Sequence, residues 1–475
     1  MSHPEEFHAR LTIFVTIVAG EKNIINRYRH QRAELEYHTA YIEEFVDDIC
    51  SSFGGYSDLA QVKTRFSRGS YYERTKIIEP NEYDYLPVLS LTDDVAVEVC
   101  DVEEDCKLAG QGYKRVKILP GQLQKHLKNL RRNVLCKQND GVYLKTEIRY
   151  SLVEELDSYL KRNHSQNYLG RKNHNEDHHP AYEIGQFSLH DLVHGPSVCI
   201  RVGGPLCTTD IDLCFCIQKS PGCVLVPAFV SSAKCNVVLN ENHWTESVLQ
   251  LQRETGIELP LSDGQHKHVF LTLKFISHLY DKIYWFLFGS CTPDGLISSY
   301  AYKLLMQHHS HRQKGPDYNI GKWLEDIVYF IFGFTRKEGD GRDVFRAYGR
   351  GDDVYLPDVH FHERKVKVIN GDANKGELIT LLWIYKHVEH NDNTVWWKRL
   401  LDDDFPNNVD KPVHNGLIET ECVDKDGLDS LLRSVEYVMT IRSGKPERPP
   451  ECIWRHMNGA ITRVIIDDQK PLDIF

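Results

Sequence analysis

The fold of this chain is decided by two short stretches of sequence, Gly-Ser-Tyr-Tyr-Glu at residues 69–73 and Pro-Asn-Glu-Tyr-Asp at residues 80–84. Only one residue separates Glu82 from Asp84, so in a β-strand both side chains point to the same face. Converging carboxylates are the hard oxygen ligands that Mg²⁺ prefers, with nucleotide phosphates completing the shell. Two such ions can bridge the attacking and leaving oxygens of a phosphoryl displacement. The second stretch therefore predicts a Mg²⁺ site, which Mn²⁺ can also occupy.

The first stretch predicts a phosphate-binding turn. A glycine at position 69 lets the backbone approach a phosphate closely, and the hydroxyl of Ser70 adds a hydrogen-bond donor. Each feature has a plainer interpretation, because two acids on a strand are usually exposed surface and Gly-Ser is usually only a turn. Their combination is far more specific than either feature alone.

Composition is that of an ordinary globular protein. Of the 475 residues, 41% are hydrophobic and 26% are charged, and the formal net charge is −11. That balance argues against a surface uniformly adapted to nucleic acid, although a local basic face is compatible with it. The 13 cysteines form no CxxC pair, which indicates a reducing interior rather than a secreted disulfide framework.

Two apolar stretches, residues 11–19 and 327–334, are too short to span a bilayer. We expect both to be buried helix or strand. The sequence thus predicts a cytoplasmic protein without a membrane partner.

The order of hydrophobic patterns predicts an α+β protein. A long helix is expected over residues 22–50, before a Phe-Gly-Gly turn at 53–55. Strand-like runs follow at 85–91, 95–99, 198–202 and 211–217, and a helix is expected over 121–135. Later helices are expected over 245–254, 268–280 and 298–309. Strands first and helices later predict a mixed-sheet catalytic lobe followed by a helical lobe.

Taken together, the two stretches resemble the signature of the cyclic GMP–AMP synthase-like (Mab-21) superfamily of nucleotidyltransferases. In that family the Gly-Ser motif grips the triphosphate, and the two acids, here Glu82 and Asp84, bind catalytic Mg²⁺. A third carboxylate comes from a neighbouring strand of the form hydrophobic-Asp followed by a hydrophobic run. Residues 211–217 fit that form, so the resemblance implies Asp212 as the third ligand, with Asp210 as its alternative on the same face.

The resemblance continues toward the C-terminus. Trp244 and Ser247 resemble the start of a helix that touches the acceptor base, and Lys274 resembles a lysine that reaches the nucleotide phosphates. The run Ser-Ser-Tyr-Ala-Tyr-Lys at 298–303 resembles a motif whose tyrosine stacks on a base and whose lysine contacts phosphate. The nucleotide-binding residues that the resemblance implies are Gly69, Ser70, Glu82, Asp84, Ser247, Lys274, Ser299, Tyr300 and Lys303.

A bilobal nucleotidyltransferase fold with a long N-terminal spine helix is also implied by the resemblance. It places a catalytic lobe with the spine helix at residues 20–240, a helical Mab-21-like lobe at 241–363 and an extension of unassigned role at 364–475. The implied substrates are ATP and a second nucleotide, GTP or UTP.

Two departures from the family pattern affect the expected ligands. No cysteine lies between Trp244 and Lys274, where the vertebrate DNA sensor carries a zinc-binding insertion, and His266 and His268 cannot supply four ligands. We therefore expect no structural zinc, as in the zinc-lacking animal relatives, and double-stranded RNA ahead of DNA as the activator. Thr245 stands where the vertebrate enzyme has an arginine that reads guanine, so a pyrimidine nucleotide such as UTP stays open beside GTP.

A basic stretch offers a surface for nucleic acid. Residues 107–139 contain nine Lys or Arg and no Asp or Glu. The helix expected there places four of them largely on one side, Lys125, Lys128, Arg131 and Arg132. The first long helix carries a similar group, Lys22, Arg27, Arg29 and Arg32. Such a stripe suits the phosphate backbone of a duplex, although a solvated helix face is the plainer interpretation.

The leading hypothesis is an RNA-activated synthase of a cyclic dinucleotide second messenger in innate immune sensing. The alternative from a different class is a catalytically silent Mab-21-type protein that binds a nucleotide or a partner. The intact acids and Gly-Ser motif disfavour that alternative. A synthase of linear oligonucleotides is a third hypothesis.

Overall fold

The structure is a computed structural model of the whole chain. It describes residues 4–405 except 27–28, 58–60, 93–95, 105, 131, 139, 173–181, 191–194, 229–241, 249–264, 289–295, 313–318, 332–352, 359–360, 362, 371–372, 391–399 and 404. The helices of the described part are α1 (Pro4–Lys22), α2 (Arg32–Tyr56), α3 (Gly69–Tyr72), α4 (Gln122–Lys128), α5 (Ile148–Asn163), α6 (Gln265–Phe288), α7 (Ser299–Arg312), α8 (Ile320–Ile331) and α9 (Lys375–His390).

The strands of the same part are β1 (Val62–Arg68), β2 (Glu82–Leu89), β3 (Val97–Asp101), β4 (Tyr113–Ile118), β5 (Leu135–Gln138), β6 (Gly141–Leu144), β7 (Tyr168–Lys172), β8 (Phe187–His190), β9 (Val198–Gly203), β10 (Thr208–Leu213), β11 (Ile217–Ser220), β12 (Cys223–Pro227), β13 (Trp244–Val248), β14 (Val354–Pro357) and β15 (Lys365–Ile369). Helices and several sheets together make this an α+β protein, as the hydrophobic pattern predicts.

The chain divides into two compact units. The first, called here the sheet unit, comprises residues 27–259 and 361–364. The second, called the helical unit, comprises residues 1–26, 260–360 and 365–475. Both large sheets lie in the sheet unit, whereas α1 and α6–α9 belong to the helical unit.

A six-stranded sheet of order β1-β2-β10-β9-β8-β7 carries the acidic residues of the opening motif. Strand β2 pairs antiparallel with β1 and parallel with β10. Residues alternate along β2 and β10, so that Tyr83, Tyr85, Ile211 and Leu213 are buried in the core while the acids between them are half-buried. The two-residue period therefore places the carboxylates of both strands on the face opposite the core.

The second large sheet has the order β11-β12-β13-β4-β6-β5, with β3 paired to β4. Trp244 of β13 is fully buried in this sheet's core, and its indole nitrogen donates to the carbonyl oxygen of Leu144 at 3.1 Å. Trp244 is therefore a structural residue of the sheet.

Helix α2 is the long helix predicted near the N-terminus, but its bounds differ. The expected helix runs over residues 22–50, whereas α2 begins at Arg32 and ends at Tyr56, and α1 already ends at Lys22. The start of α2 is supported by the backbone N–H of Gln31, which donates to the Glu34 carboxylate at 3.2 Å. Because α1 and α2 are separate helices, Lys22 and Arg29 do not belong to α2 and do not contribute to its basic face.

His38 connects α2 to the loops that precede β2 and β10. Its Nδ1 accepts a hydrogen bond from the backbone N–H of Leu206 at 3.2 Å, and its Nε2 lies 3.2 Å from the carbonyl oxygen of Pro80 and 3.2 Å from Thr209 Oγ1. Burial lowers the pKa of His38, which keeps the ring neutral and able to accept at Nδ1.

The helical unit is built around α1, which packs against α6, α8 and α9. The apolar stretch at residues 11–19 lies within α1, where Leu11, Phe14, Val15 and Val18 are buried, so the expectation of a buried element is confirmed. Gly321 lets α8 approach α1 closely, since a Cβ atom at that position would lie 2.2 Å from the carbonyl oxygen of His8.

Some sequence predictions of local structure are wrong. The helix expected over 245–254 begins instead as strand β13, whose Trp-Thr-Glu-Ser-Val sequence pairs with β12. The helix expected over 121–135 is only α4, because Leu135 is buried at the start of β5 and Val134 is buried just before it. The helices expected over 268–280 and 298–309 are confirmed within α6 and α7.

No helix in the described part of the chain combines the length and the apolar character needed to cross a bilayer.

Candidate metal centre

Three carboxylates converge where β2 and β10 run side by side. In the parallel register of these strands Asp212 is paired with Asp84, and Asp210 is paired with Glu82. One carboxylate oxygen from each of Glu82, Asp84 and Asp212 lies within 4.8 Å of the other two. These three residues, called here the metal centre because they could together hold a metal ion, are the one group of three or more potential ligands at such distances among the described residues.

The electrostatics of the metal centre favour a cation. Burial, together with the neighbouring charges of Asp84, Glu82 and Asp210, raises the pKa of Asp212 to about 8. The Oδ1 atom of Asp212 is buried and has no hydrogen-bond partner within the described residues. A buried carboxylate oxygen without a partner is costly unless a cation or a proton meets it. The residues present therefore fit a divalent metal ion.

The two aspartates of β10 have different surroundings. Arg201 of β9 donates two hydrogen bonds to Asp210, from Nε to Oδ1 at 2.6 Å and from Nη2 to Oδ2 at 2.9 Å. This bidentate pair occupies both oxygens of Asp210. Asp212 has no such arginine partner among the described residues, and it is Asp212 that lies within ligand distance of Glu82 and Asp84. The geometry therefore favours Asp212 over Asp210 as the third ligand.

Gly69 lies directly against the metal centre. Its φ of +78° is in the left-handed region, and a Cβ atom built on it would lie 1.7 Å from Oδ2 of Asp84. Any side chain at this position would displace the carboxylate. The half-buried Ser70 follows, and its carbonyl oxygen accepts a hydrogen bond from the Thr75 backbone N–H at 2.7 Å. The Gly-Ser turn and the acids thus form one packed unit.

Tyrosines anchor this turn to α2 and β2. The hydroxyls of Tyr71 and Tyr83 both contact Thr39 Oγ1, at 2.5 and 3.1 Å. Tyr72 donates to the Glu43 carboxylate at 2.8 Å, and its hydroxyl lies 2.7 Å from that of Tyr85. Burial raises the pKa of Tyr72, Tyr83 and Tyr85, so all three stay protonated and act as donors.

Lys76 is a member of the site that the sequence interpretation missed. The residue is 8% exposed, and its Nζ lies 2.5 Å from Oε2 of Glu82. A lysine in this loop carries no sequence signal of its own, because most lysines at such positions are solvated surface.

Ser247 lies on β13 rather than at the start of a helix, half-buried and opposite Val224 of β12. Thr245 on the same strand accepts a hydrogen bond from Nη2 of Arg364 at 2.9 Å. The guanidinium carbon of Arg364 lies 5.1 Å from the ring centroid of Tyr113 and 4.6 Å from that of Phe361. An arginine from a distant part of the sequence therefore lies beside Thr245, and the residues around Trp244 do not predict it.

The remaining nucleotide-binding residues predicted from the sequence belong to the helical unit. Lys274 is half-buried on α6, and Ser299 begins α7. Tyr300 is 46% exposed, and its hydroxyl donates to the Asp358 carboxylate at 2.7 Å, although Asp358 itself is buried. Lys303 lies three residues further along α7 and is half-buried. The hydrogen bond to Asp358 fixes the ring of Tyr300 while leaving it accessible.

The residues predicted to bind nucleic acid do not form one helical stripe. Lys125 and Lys128 are exposed on α4, but α4 ends at Lys128. Arg131 lies outside the described residues. Arg132 lies beyond the helix and donates through Nε to Oε1 of Glu154 at 2.7 Å, so it belongs to an ion pair.

All three basic residues of β4, Lys114, Arg115 and Lys117, are paired with acids that lie outside residues 107–139. Lys114 contacts Asp101 and lies 3.5 Å from Glu246, and Arg115 contacts Glu103. Strand β3, which supplies Asp101, runs antiparallel to β4. A similar correction applies to Lys22, which the sequence assigns to the first long helix: it ends α1 instead, is 4% exposed and lies 2.8 Å from Asp403. Folding neutralises much of the basic charge that looks unbalanced in the sequence.

Comparison of the sequence with known protein families gives no match, and comparison with curated proteins also gives none.

Proposed function

We propose that this chain is a metal-dependent nucleotidyltransferase that joins ATP and a second nucleoside triphosphate into a cyclic dinucleotide. The observation that carries the proposal is the convergence of Glu82, Asp84 and Asp212, with a buried oxygen of Asp212 that lacks a hydrogen-bond partner among the described residues. The close packing of Gly69 on Asp84 supports it, because backbone without a side chain then borders the acids.

Glu82, Asp84 and Asp212 would hold Mg²⁺ or Mn²⁺. Bound there, a divalent cation stabilises negative charge on the attacking and leaving oxygens of a phosphoryl transfer. The proposed reaction is attack of a ribose hydroxyl of one nucleotide on the α-phosphate of the other, with loss of pyrophosphate. A second such attack closes the ring with loss of a second pyrophosphate. In the sheet unit, Ser70 and the backbone at Gly69 would contact the triphosphate, and Ser247 would bind nucleotide. The proposed nucleotide-binding residues of the helical unit are Lys274, Ser299, Tyr300 and Lys303.

The second nucleotide remains GTP or UTP. Thr245 alone cannot pair with the edge of guanine, but the guanidinium of Arg364 donates to Thr245 and is oriented by Tyr113 and Phe361. Arg364 also donates through Nε to the carbonyl oxygen of Gln111 at 2.9 Å, so its Nε and Nη2 are both used within the protein, and Arg364 does not decide between GTP and UTP.

Double-stranded RNA is the proposed activator, in a cytoplasmic protein of innate immune sensing with a bilobal nucleotidyltransferase fold. Fewer of the predicted basic residues support RNA binding than the sequence suggests, because Lys125 and Lys128 are exposed whereas Arg132 is paired with Glu154. DNA is the less favoured activator.

The direct test incubates the full-length chain with labelled ATP, each of the other nucleoside triphosphates, Mg²⁺ and duplex RNA, and identifies products by mass spectrometry. We expect a cyclic dinucleotide with the wild-type chain and far less of it with Asp212→Asn. A linear product would show that the chain is an oligonucleotide synthase rather than a cyclic dinucleotide synthase. Nucleotide binding without turnover, under every combination of nucleotide and nucleic acid, would instead identify a catalytically silent Mab-21-type protein.

A further inference from the structure

Lys76 occupies an unusual place for a lysine. Its side chain is 10% exposed, while that of its partner Glu82 is 46% exposed, so the ammonium group lies beneath the carboxylate rather than outside it. The separation of 2.5 Å between Nζ and Oε2 of Glu82 is a close charge-assisted hydrogen bond. A buried lysine requires a compensating anion, and the metal centre supplies one.

The loop that carries Lys76 is held in a strained conformation. Arg74 and Ile78, on either side of Lys76, have φ angles of +58° and +67°. Left-handed backbone is disfavoured for residues with a side chain, and most of all for a β-branched one such as isoleucine. Such strain persists only where surrounding contacts impose it.

Two contacts impose the conformation of this loop. Nε of Arg29 donates to the carbonyl oxygen of Ile78 at 2.6 Å. The backbone N–H of Thr75, a fully buried residue, donates to the carbonyl oxygen of Ser70 at 2.7 Å. The loop is thus fastened at both ends, and Lys76 between them is directed toward the metal centre.

We propose that Lys76 is a built-in counter-cation of the metal centre, which a divalent metal ion displaces from Glu82 when it binds. The inference rests on the proposed function, because it takes Glu82, Asp84 and Asp212 to be metal ligands. In the metal-free chain the ammonium offsets part of the negative charge that the three carboxylates accumulate.

The distances make joint occupancy unfavourable. A Mg²⁺ or Mn²⁺ ion binds carboxylate oxygen at about 2.1 Å, and Nζ lies 2.5 Å from Oε2 of the same carboxylate. An ion on that oxygen and the ammonium would then lie within about 5 Å of each other, where like charges repel strongly in a partly buried site.

Metal binding to the full-length chain tests this without any turnover. Titration with Mn²⁺, followed by the electron paramagnetic resonance signal of the free ion, compares the wild-type chain with Lys76→Met, Lys76→Arg and Lys114→Met. Lys114 is a matched control, since it is a partly buried lysine paired with Asp101 and Glu246. We expect Lys76→Met to bind Mn²⁺ about tenfold more tightly than the wild type, and Lys76→Arg and Lys114→Met to resemble the wild type.

Equal or weaker binding by Lys76→Met would overturn the inference alone, because the wild-type chain would still bind the ion. Failure of both chains to bind Mn²⁺ would overturn the inference together with the proposed function.

A second measurement uses only the wild-type chain, in case Lys76→Met does not fold. Reductive methylation followed by mass spectrometry reports which lysines are accessible to the reagent. We expect Lys76 to be protected without metal and to become methylated when Mn²⁺ is added. Unchanged protection of Lys76 at a Mn²⁺ concentration that saturates the chain would contradict displacement.

Discussion

Two groups of like charge in the sheet unit look equally unbalanced in the sequence and have opposite fates in the structure. The basic residues of β4 face acids from β3 and the loop after it, so that Arg115, for example, contacts Glu103. The acids of β2 and β10 converge on one another instead, and the pKa of Asp212 rises to about 8. Both groups lie on pleated strands with the same two-residue period.

The difference separates a charge cluster that is paired within the sheet from one that we propose to be functional. Folding brings counter-charges to β4 and so uses its basic residues to hold the second sheet together. At the metal centre folding brings like charges together and leaves a buried oxygen of Asp212 without a hydrogen-bond partner in the described chain. An arrangement that costs stability in the free protein is expected where a ligand supplies the missing charge.

The largest expected effect separates the two aspartates of β10. We expect Asp212→Asn to reduce the rate of nucleotidyl transfer on the order of a thousandfold, because a metal ion contributes several kcal/mol to such a transition state. Asp210→Asn should retain Mn²⁺ binding but melt at a lower temperature, since it leaves the buried guanidinium of Arg201 without its bidentate partner. Equal loss of Mn²⁺ affinity in both variants would show that Asp210 is also a ligand. Kinetics, Mn²⁺ titration and thermal melting measure the three quantities.

A smaller effect is expected when the Gly-Ser turn is disturbed. Gly69→Ala should cost roughly 1–3 kcal/mol of unfolding free energy and should also weaken Mn²⁺ binding, because the new Cβ would overlap the Asp84 carboxylate. Gly170→Ala is the matched control, since Gly170 also has a positive φ, +89°, and nothing lies within 4 Å of its Cβ position. Denaturant unfolding and Mn²⁺ titration should show a stability loss in both variants and an affinity loss only in Gly69→Ala. Normal Mn²⁺ affinity in Gly69→Ala would mean that the turn does not support the metal centre.

The basic residues offer a milder test of the comparison. Replacing both Lys125 and Lys128 by alanine should weaken binding of duplex RNA and lower the slope of log affinity against log salt by about one unit for each phosphate that the variant no longer neutralises. Arg132→Ala should change that slope less, because Arg132 is already paired with Glu154. Filter binding at several salt concentrations distinguishes the variants. A larger change in the salt slope for Arg132→Ala than for the double variant would show that Arg132, rather than Lys125 and Lys128, contacts the RNA.

The smallest expected effect is a dependence of stability on pH. The pKa of Asp212 in the folded chain, about 8, lies above its usual value of 3.8, so the folded state holds a proton that the unfolded state releases. The metal-free protein should therefore lose stability as pH rises from about 4 to about 8. Asp212→Asn removes this loss, and we expect its melting temperature to exceed that of the wild type by an amount that grows as the pH rises from about 4 to about 8. A lower melting temperature of Asp212→Asn at pH 8 would contradict the accumulated negative charge.

Much of this site could be predicted because its signals are local. Glu82 and Asp84 are two residues apart on one strand, and the alternation of Asp212 with buried Ile211 and Leu213 marks a second strand of the same kind. The parallel pairing of β2 with β10 then brings the acids together. Period and residue type are sufficient to predict these strands, whereas the resemblance to a known family is what implies Asp212 as the third ligand.

The missed features depend on contacts between distant parts of the chain. Residues 245–248 look helical in sequence but gain hydrogen bonds as a strand because β12 and β4 lie beside β13. Arg364 reaches Thr245 from a position 119 residues away, and Arg201 reaches Asp210 across neighbouring strands. The role proposed for Lys76 depends on its burial under Glu82, which only the folded structure shows. No pattern within a short window contains such information.

The central claim is that the acids of β2 and β10 bind a divalent metal ion, and anomalous diffraction from crystals grown with Mn²⁺ tests it most directly. We predict an anomalous peak within coordination distance, about 2.0–2.6 Å, of oxygens from Glu82, Asp84 and Asp212, with Asp210 still paired to Arg201. The absence of a peak at this position, or a peak bound by Asp210 in place of Asp212, would contradict the account.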